Sequence, residues 1–147
     1  MLHNLILKKL EQMSVLLKEL QELLEVPFSE FKSAFRNIRS AERDFQLVIE
    51  LASDINAQIV TDNGAQTPDT YKESFRKMVE LKVLDEKLLP DFIKSANLRN
   101  ILIHEYDFDE DNFIFYKSAK KLLPIYKTYI DLITKYLASK KIIITTP

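Results

Sequence analysis

The sequence predicts an all-α protein, folded as an up-and-down bundle of about five helices. The 147 residues include one glycine and five prolines, which leaves few sites for tight turns, and 46% of them are hydrophobic. Apolar residues also recur every three or four positions through most of the chain, which is the period of an amphipathic helix. We expect a single domain over residues 1–140 and a C-terminal tail over residues 141–147.

The N-terminal part of the chain predicts two long helices. Over residues 2–25, apolar residues alternate at spacings of four and three: Ile6, Leu10, Met13, Leu17, Leu20 and Leu24. Val26-Pro27 ends this helix, because proline disfavours helical geometry in the residue before it. Ser29 is suited to cap a second helix, which we expect to continue to about Val60.

Three of the chain's five arginines share one stripe of this second helix: Arg36, Arg39 and Arg43. Two interpretations are open. The stripe is either a solvated face paired with neighbours such as Glu42 and Asp44, or a strip that contacts phosphate groups, since arginine pairs bidentately with phosphate.

A loop and a capped helix follow the arginine stripe. Residues 61–68 hold the chain's glycine and predict the loop. Thr70, with Glu73 three residues later, predicts the capping box of a short third helix. Pro90 is tolerated only near the start of a helix, so a fourth helix is expected to begin there.

The acidic run Asp107–Asp111 predicts the boundary between the fourth helix and the last one. It interrupts the apolar pattern, and acids favour the positive end of a helix dipole, so the run suits the cap of the following helix. Apolar residues then continue to Leu137 at helical spacing. We expect a kink at Pro124.

Charge and composition limit the classes of function. A net charge of −1 argues against a protein that grips nucleic acid over its whole surface, so any RNA contact would use a local patch or the pooled patches of two chains. The absence of cysteine excludes disulfides and thiolate metal sites. No apolar run approaches the length of a membrane span, and the N-terminus lacks the features of a signal peptide. We therefore expect a cytoplasmic protein with no membrane contact.

Reactive side chains gather at one stretch of the fourth helix. His104, one of two histidines, can exchange protons near neutral pH, and Arg99 carries a permanent charge in a fork that fits phosphate oxygens. At about 100° per residue, Arg99 and His104 point about 140° apart on an uninterrupted helix. They can serve one phosphate only if the helix breaks near His104 or if the long arginine curls round, and a second subunit could then complete the cleft. Asn100, one turn before His104, is placed to orient the imidazole.

These residue types suit phosphodiester cleavage in RNA, which supplies its own nucleophile in the 2′-hydroxyl. Such a reaction needs a proton acceptor, a proton donor and positive charge at the phosphate, so we predict Arg99 and His104 as the catalytic pair with Asn100 in support. This scheme requires no metal, and we predict no metal site. The second proton-transfer group would be a water, Tyr106, or His104 of a second chain. In the alternative interpretation, His104 caps a helix end and Arg99 pairs with a nearby acid.

The string Arg99-Asn100-X3-His104-X-Tyr106 resembles the Arg-X4-His-X-Tyr signature of HepT-like toxins, a branch of the HEPN superfamily of small all-helical ribonucleases. The resemblance covers roughly the whole chain, since other segments also fall where that family has similar features: Ser40–Arg43, Thr70-Tyr71 and the acidic turn after Tyr106. It implies a homodimer in which two motifs face a shared cleft and cut RNA as a metal-independent endoribonuclease.

The resemblance also implies a partner. HepT-like proteins are encoded with a minimal nucleotidyltransferase antitoxin, in a type VII-like toxin–antitoxin pair, and Tyr106 matches the tyrosine that the antitoxin modifies with AMP. AMP would bring negative charge and bulk beside Arg99 and His104. ATP and magnesium would serve the partner, and we expect no cofactor for this chain. The alternative is a non-catalytic dimeric adaptor or scaffold for the nucleotidyltransferase, with the motif residues retained for packing.

Overall fold

Six α-helices form the bundle in this computed structural model, which describes residues 2–104 and 108–145, with side chains for residues 3–103 and 112–140. The helices are α1 (Leu2–Leu24), α2 (Phe28–Ser33), α3 (Phe35–Asp62), α4 (Tyr71–Glu80), α5 (Leu89–His104) and α6 (Phe108–Thr145), and a short 3-10 helix, Glu86–Leu88, precedes α5. No β-strand occurs in the described residues. The predicted all-α class is therefore confirmed.

Helix α1 has the predicted length and buries the predicted face. Its six seam residues are each at most 4% exposed: Ile6, Leu10, Met13, Leu17, Leu20 and Leu24. They face α3 and α6, the helices that α1 contacts most. Within the described part of the chain, no helix is both long enough and apolar enough to cross a membrane.

The prediction of one second helix is wrong, because the segment forms two helices, α2 and α3. The backbone leaves the helical region at Ala34, where φ is −117° and ψ is 86°, and Ser29 lies inside α2 instead of capping it. Because of this break, α2 is not continuous with α3, and Phe28 and Phe31 of α2 both contact α6. Both rings pack against aromatic residues of α6: Phe28 against Phe113 and Tyr116, and Phe31 against Phe115 and Tyr116.

The loop after α3 and the start of α4 follow the prediction. Gly64 has a φ of +84°, a left-handed conformation that favours glycine, just after the end of α3. The Thr70 hydroxyl accepts a hydrogen bond from the Glu73 amide at 3.0 Å, as expected for a helix cap.

A buried chain of hydrogen bonds joins α6, α3 and α4. The Tyr129 hydroxyl donates to Asn56 Oδ1 at 2.6 Å, and Asn56 Nδ2 donates to Ser74 Oγ at 3.1 Å. Ser74 Oγ in turn donates to the carbonyl oxygen of Tyr71 at 2.7 Å. Buried polar groups are costly when unpaired, so this chain fixes the first turn of α4 relative to the core.

Helix α6 continues through Pro124 and ends at Thr145, so it includes most of the segment predicted as a tail. Seven apolar residues at helical spacing were predicted to face the core, and all are buried except Ile130, which is half-buried: Tyr116, Ala119, Leu123, Tyr126, Ile130, Ile133 and Leu137. Residues 105–107, which contain part of the predicted boundary, lie outside the described residues.

Asp44 on α3 carries a pH-dependent penalty for folding. Its carboxyl is buried, and burial, followed by a hydrogen bond with Glu19 and the charge of Glu19, raises the pKa of Asp44 from 3.8 to about 7. Because the folded pKa lies above the unfolded value, the folded state binds the extra proton. The stabilisation from that proton is complete below about pH 4 and is lost as the pH rises through about 7.

We expect Asp44→Asn to stabilise the protein at pH 8 more than at pH 5. The substitution removes the buried charge, so the difference in Tm between the two pH values should shrink by about 3 °C or more, equivalent to roughly 1 kcal/mol. Thermal melts at both pH values measure this. Asp54→Asn, which changes an exposed carboxyl on the same helix, is the control. Equal changes in the two variants would contradict the assignment.

Candidate active site

Side chains from three helices hold the guanidinium of Arg99. Its Nη2 donates to Glu50 Oε1 of α3 at 3.3 Å, and its Nη1 donates to Asn100 Oδ1 of α5 at 3.3 Å. The Cζ atom lies 4.5 Å from the centroid of the Tyr71 ring at the start of α4, which is within the range of a cation–π contact. The side chain of Arg99 is 16% exposed, so it is confined but still reaches the surface.

The bonds that hold Arg99 leave it with capacity for a further ligand. Charge-assisted N–H···O bonds are usually about 2.7–2.9 Å long, and both bonds here are longer. Arg99 Nε is buried and has no acceptor among the described residues. A phosphate accepts two parallel N–H groups from a guanidinium, so it can compete with Glu50 and Asn100 for this side chain.

An open cavity of about 320 Å³ lies beside Arg99, between α3, α4 and α5. Helix α3 contributes Ser53 and Ala57 to its wall, α5 contributes Arg99 and Asn100, and the start of α4 contributes the segment 70–72. The predicted charged residue of the motif therefore lines a space that a small ligand can enter.

His104 is the last residue of α5, and its side chain lies outside the described residues, as does Tyr106. The backbone is helical from Arg99 to His104, so the Cα atoms of these two residues lie about 140° apart around the helix axis. The predicted hydrogen bond between Asn100 and the imidazole is likewise outside the described residues. In the structure, the side-chain oxygen of Asn100 accepts a hydrogen bond from Arg99.

The arginine stripe is exposed on α3: Arg36, Arg39 and Arg43. Arg39 forms an ion pair with Glu42 at 2.9 Å, as the interpretation as a solvated face expects. Glu50 follows Arg43 by seven residues, which places it on nearly the same side of the helix. The stripe therefore leads along α3 to the carboxylate that holds Arg99.

Sequence reasoning missed Glu50, the contact of Tyr71 with Arg99 and the cavity. The spacing of seven residues could have placed Glu50 in line with the arginine stripe. Its proximity to Arg99 depends on how α3 packs against α5, which cannot be predicted from residue spacing within one helix. The described residues contain no group of three or more histidine and acidic side chains that could hold a metal ion.

The fold defines a HEPN-like helical protein. A tri-AMPylated HEPN toxin of Shewanella oneidensis, solved in complex with MNT antitoxin, superposes with a TM-score of 0.75 over 88% of this chain and 96% of that chain, at 23% identity. A family model described as Ribonuclease HepT-like matches residues 13–133. The chain therefore belongs to the HepT-like family.

Two relatives are similar over most of the chain. A tRNA nuclease HepT of Aphanizomenon flos-aquae is 29% identical over 129 residues, covering 88% of this chain and 87% of the relative. A putative RNase of Archaeoglobus fulgidus is 33% identical over 101 residues, covering 69% of this chain and 70% of the relative. Both are named for cleavage of RNA.

Proposed function

We propose that this chain is a metal-independent endoribonuclease that acts as a homodimer in a type VII-like toxin–antitoxin pair. Its membership of the HepT-like family and the names of its relatives support the class of activity. The observation that carries the proposal is the guanidinium of Arg99, held at the wall of an open cavity in the same helix as His104.

The proposed reaction transfers the phosphate to the neighbouring 2′-oxygen of the RNA. His104 takes the proton of the 2′-hydroxyl, the 2′-oxygen bonds to phosphorus, and the bond from phosphorus to the 5′-oxygen breaks. The leaving oxygen takes a proton from a water, from Tyr106 or from His104 of the second subunit. The products are a 2′,3′-cyclic phosphate and a 5′-hydroxyl. No step uses a metal, so we expect cleavage to proceed in EDTA.

Arg99 would stabilise the negative charge that develops on the non-bridging oxygens in the transition state. Tyr71 and Glu50 restrict its guanidinium to one region, which reduces the entropy lost when the phosphate binds. The side-chain oxygen of Asn100 accepts a hydrogen bond from the same guanidinium. These contacts give Asn100 a supporting role at Arg99 besides the predicted one at His104.

The arginine stripe supplies a path for the RNA backbone. Arg36, Arg43 and Glu50 are seven residues apart, or about 10 Å along the helix axis per interval, and they lie on one side of α3. An RNA strand along this side would place phosphates near the two arginines and then reach Arg99. In a homodimer, two such local patches would add together, which suits a chain with a net charge of −1.

The proposed regulation is AMP transfer to Tyr106 by a nucleotidyltransferase antitoxin. The phenolic oxygen of Tyr106 loses its proton to solvent and bonds to the α-phosphorus of ATP, and the bond from that phosphorus to pyrophosphate breaks. The AMP phosphate then competes with RNA for Arg99, and the nucleoside obstructs the cleft. The tri-AMPylated toxin in complex with MNT antitoxin, which shares this fold, supports the proposal.

We expect incubation with the nucleotidyltransferase, ATP and magnesium to add AMP mass to the parent chain and to suppress its RNA cleavage. Tyr106→Phe should gain no AMP and should keep its cleavage activity through the same incubation. Intact-mass spectrometry and a cleavage assay measure the two effects. Tyr136→Phe, a change at a half-buried tyrosine of α6, should be labelled like the parent. Equal labelling of Tyr106→Phe would show that another residue accepts AMP.

The second candidate function is a non-catalytic dimeric scaffold for the nucleotidyltransferase. The ion pair between Arg99 and Glu50 is the observation that favours it, because a paired and mostly buried arginine can serve packing alone. The two functions differ in whether substitution of His104 and Arg99 changes RNA cleavage.

A further inference from the structure

We propose that the cavity beside Arg99 binds one nucleoside unit of the RNA, next to the phosphate that is cleaved. This inference rests on the proposed ribonuclease function and deepens it, because it assigns a binding subsite as well as a reaction. Arg99 would contact the phosphate at the cavity wall, and the base and ribose would enter the space between α3, α4 and α5.

The size of the cavity fits a single nucleoside unit. Its volume of about 320 Å³ is near the lower end of the range for small-molecule sites, which is about 300–1,000 Å³. Pro68, Ala57 and the Tyr71 ring supply apolar surface on its lining, against which the plane of a base can pack.

Besides Ser53, Tyr71, Arg99 and Asn100, four polar residues line the cavity, and they divide into two sets. The hydroxyls of Thr70 and Ser74 already form hydrogen bonds within the fold, so they shape the cavity. Asp69 and Lys72 have no hydrogen-bond or ion-pair partner among the described residues. A carboxylate accepts hydrogen bonds from the amino and imino groups of a base, and an ammonium group binds phosphate. The second set is therefore suited to a nucleotide.

A second cavity provides a matched comparison. It has a volume of about 290 Å³ and lies between α5 and α6, and its lining is both apolar and polar: Leu98, Ile101, Ile114 and Leu122, with Asp91, Lys94, Asn97, Ser118 and Lys121. Its described lining contains no arginine. Ser53 and Ser118 are both half-buried serines on helices, and each lines one of the two cavities.

The test fills each cavity with the same side chain. Ser53→Leu places a larger group in the cavity beside Arg99, and Ser118→Leu does so in the second cavity. Binding of the four nucleoside 3′-monophosphates and of inorganic phosphate is measured by NMR titration in a His104→Ala background, so that no cleavage interferes. RNA cleavage is measured in EDTA with His104 intact.

We expect Ser53→Leu to weaken nucleoside monophosphate binding at least tenfold and to raise the KM for RNA, while Ser118→Leu matches the parent in both. Equal binding and cleavage by Ser53→Leu and the parent would overturn the inference. Inorganic phosphate binding as tightly as the nucleotides would also overturn it, because the nucleoside would then contribute nothing. If Ser53→Leu does not fold, Asp69→Ala at the exposed rim replaces it, with an expected loss of nucleotide affinity of about threefold, or roughly 0.7 kcal/mol.

Failure of this inference and failure of the proposed function give different results. Loss of the cavity effect with His104-dependent cleavage retained would remove the subsite alone. Cleavage that is unaffected by His104→Ala would remove the proposed catalytic pair, whatever binds in the cavity.

Discussion

Replacing His104 with alanine is expected to lower the rate of RNA cleavage by about 10²- to 10⁴-fold, the usual contribution of a positioned acid or base. The alanine side chain cannot accept the proton of the 2′-hydroxyl or return one to the leaving oxygen. Initial rates on a labelled RNA in EDTA measure the effect. His3→Ala, which changes the other histidine of the chain, is the matched control and should cleave like the parent.

A catalytic role for His104 also predicts what will not change. The melting temperature and the mass in solution of His104→Ala should match those of the parent, and His104→Gln should be as inactive while keeping a hydrogen-bonding side chain. Parental cleavage rates in both variants would contradict a catalytic role for His104.

Replacing Arg99 with lysine is expected to lower kcat by about 10²- to 10³-fold, which is the usual effect of losing one group that stabilises transition-state charge. Lysine keeps the charge, so Glu50 still has a cationic partner, but it lacks the planar fork that binds two phosphate oxygens and stacks on Tyr71. Single-turnover rates at saturating RNA measure the change. Arg76→Lys, a change at a largely exposed arginine of α4, should leave kcat unchanged.

The scaffold function predicts the opposite pattern for Arg99→Lys. If the guanidinium serves packing alone, the variant should melt at a lower temperature than the parent, and any RNA cleavage should continue at the parental rate. A fall in kcat with a parental melting temperature separates the catalytic role from the structural one.

The sequence predicted those features of the fold that depend on local patterns. The buried face of α1 follows from a spacing that is complete within the helix, and the cap at Thr70 follows from two residues three positions apart. The break at Ala34 was not predictable in this way. It accompanies the docking of Phe28 and Phe31 on α6, a helix far along the chain.

The candidate site likewise has features that could be predicted from local sequence and features that could not. The motif residue Arg99 was predicted, because its type and spacing to His104 are visible in the string itself. Its partners were not predicted, because Glu50 lies 49 positions earlier in the chain and Tyr71 belongs to a different helix. Only the packing of α3, α4 and α5 brings these side chains together.

The chain of hydrogen bonds from Tyr129 through Asn56 and Ser74 to Tyr71 has a consequence for engineering. It anchors the backbone of Tyr71, whose ring contacts Arg99, to the centre of the bundle, so the position of the guanidinium depends on the packing of the core. Grafting the Arg-X4-His string onto an unrelated helix would therefore transfer Arg99 without the contacts that orient it. A transplant that kept those contacts would have to include α3, α4, α5 and the part of α6 that holds Tyr129.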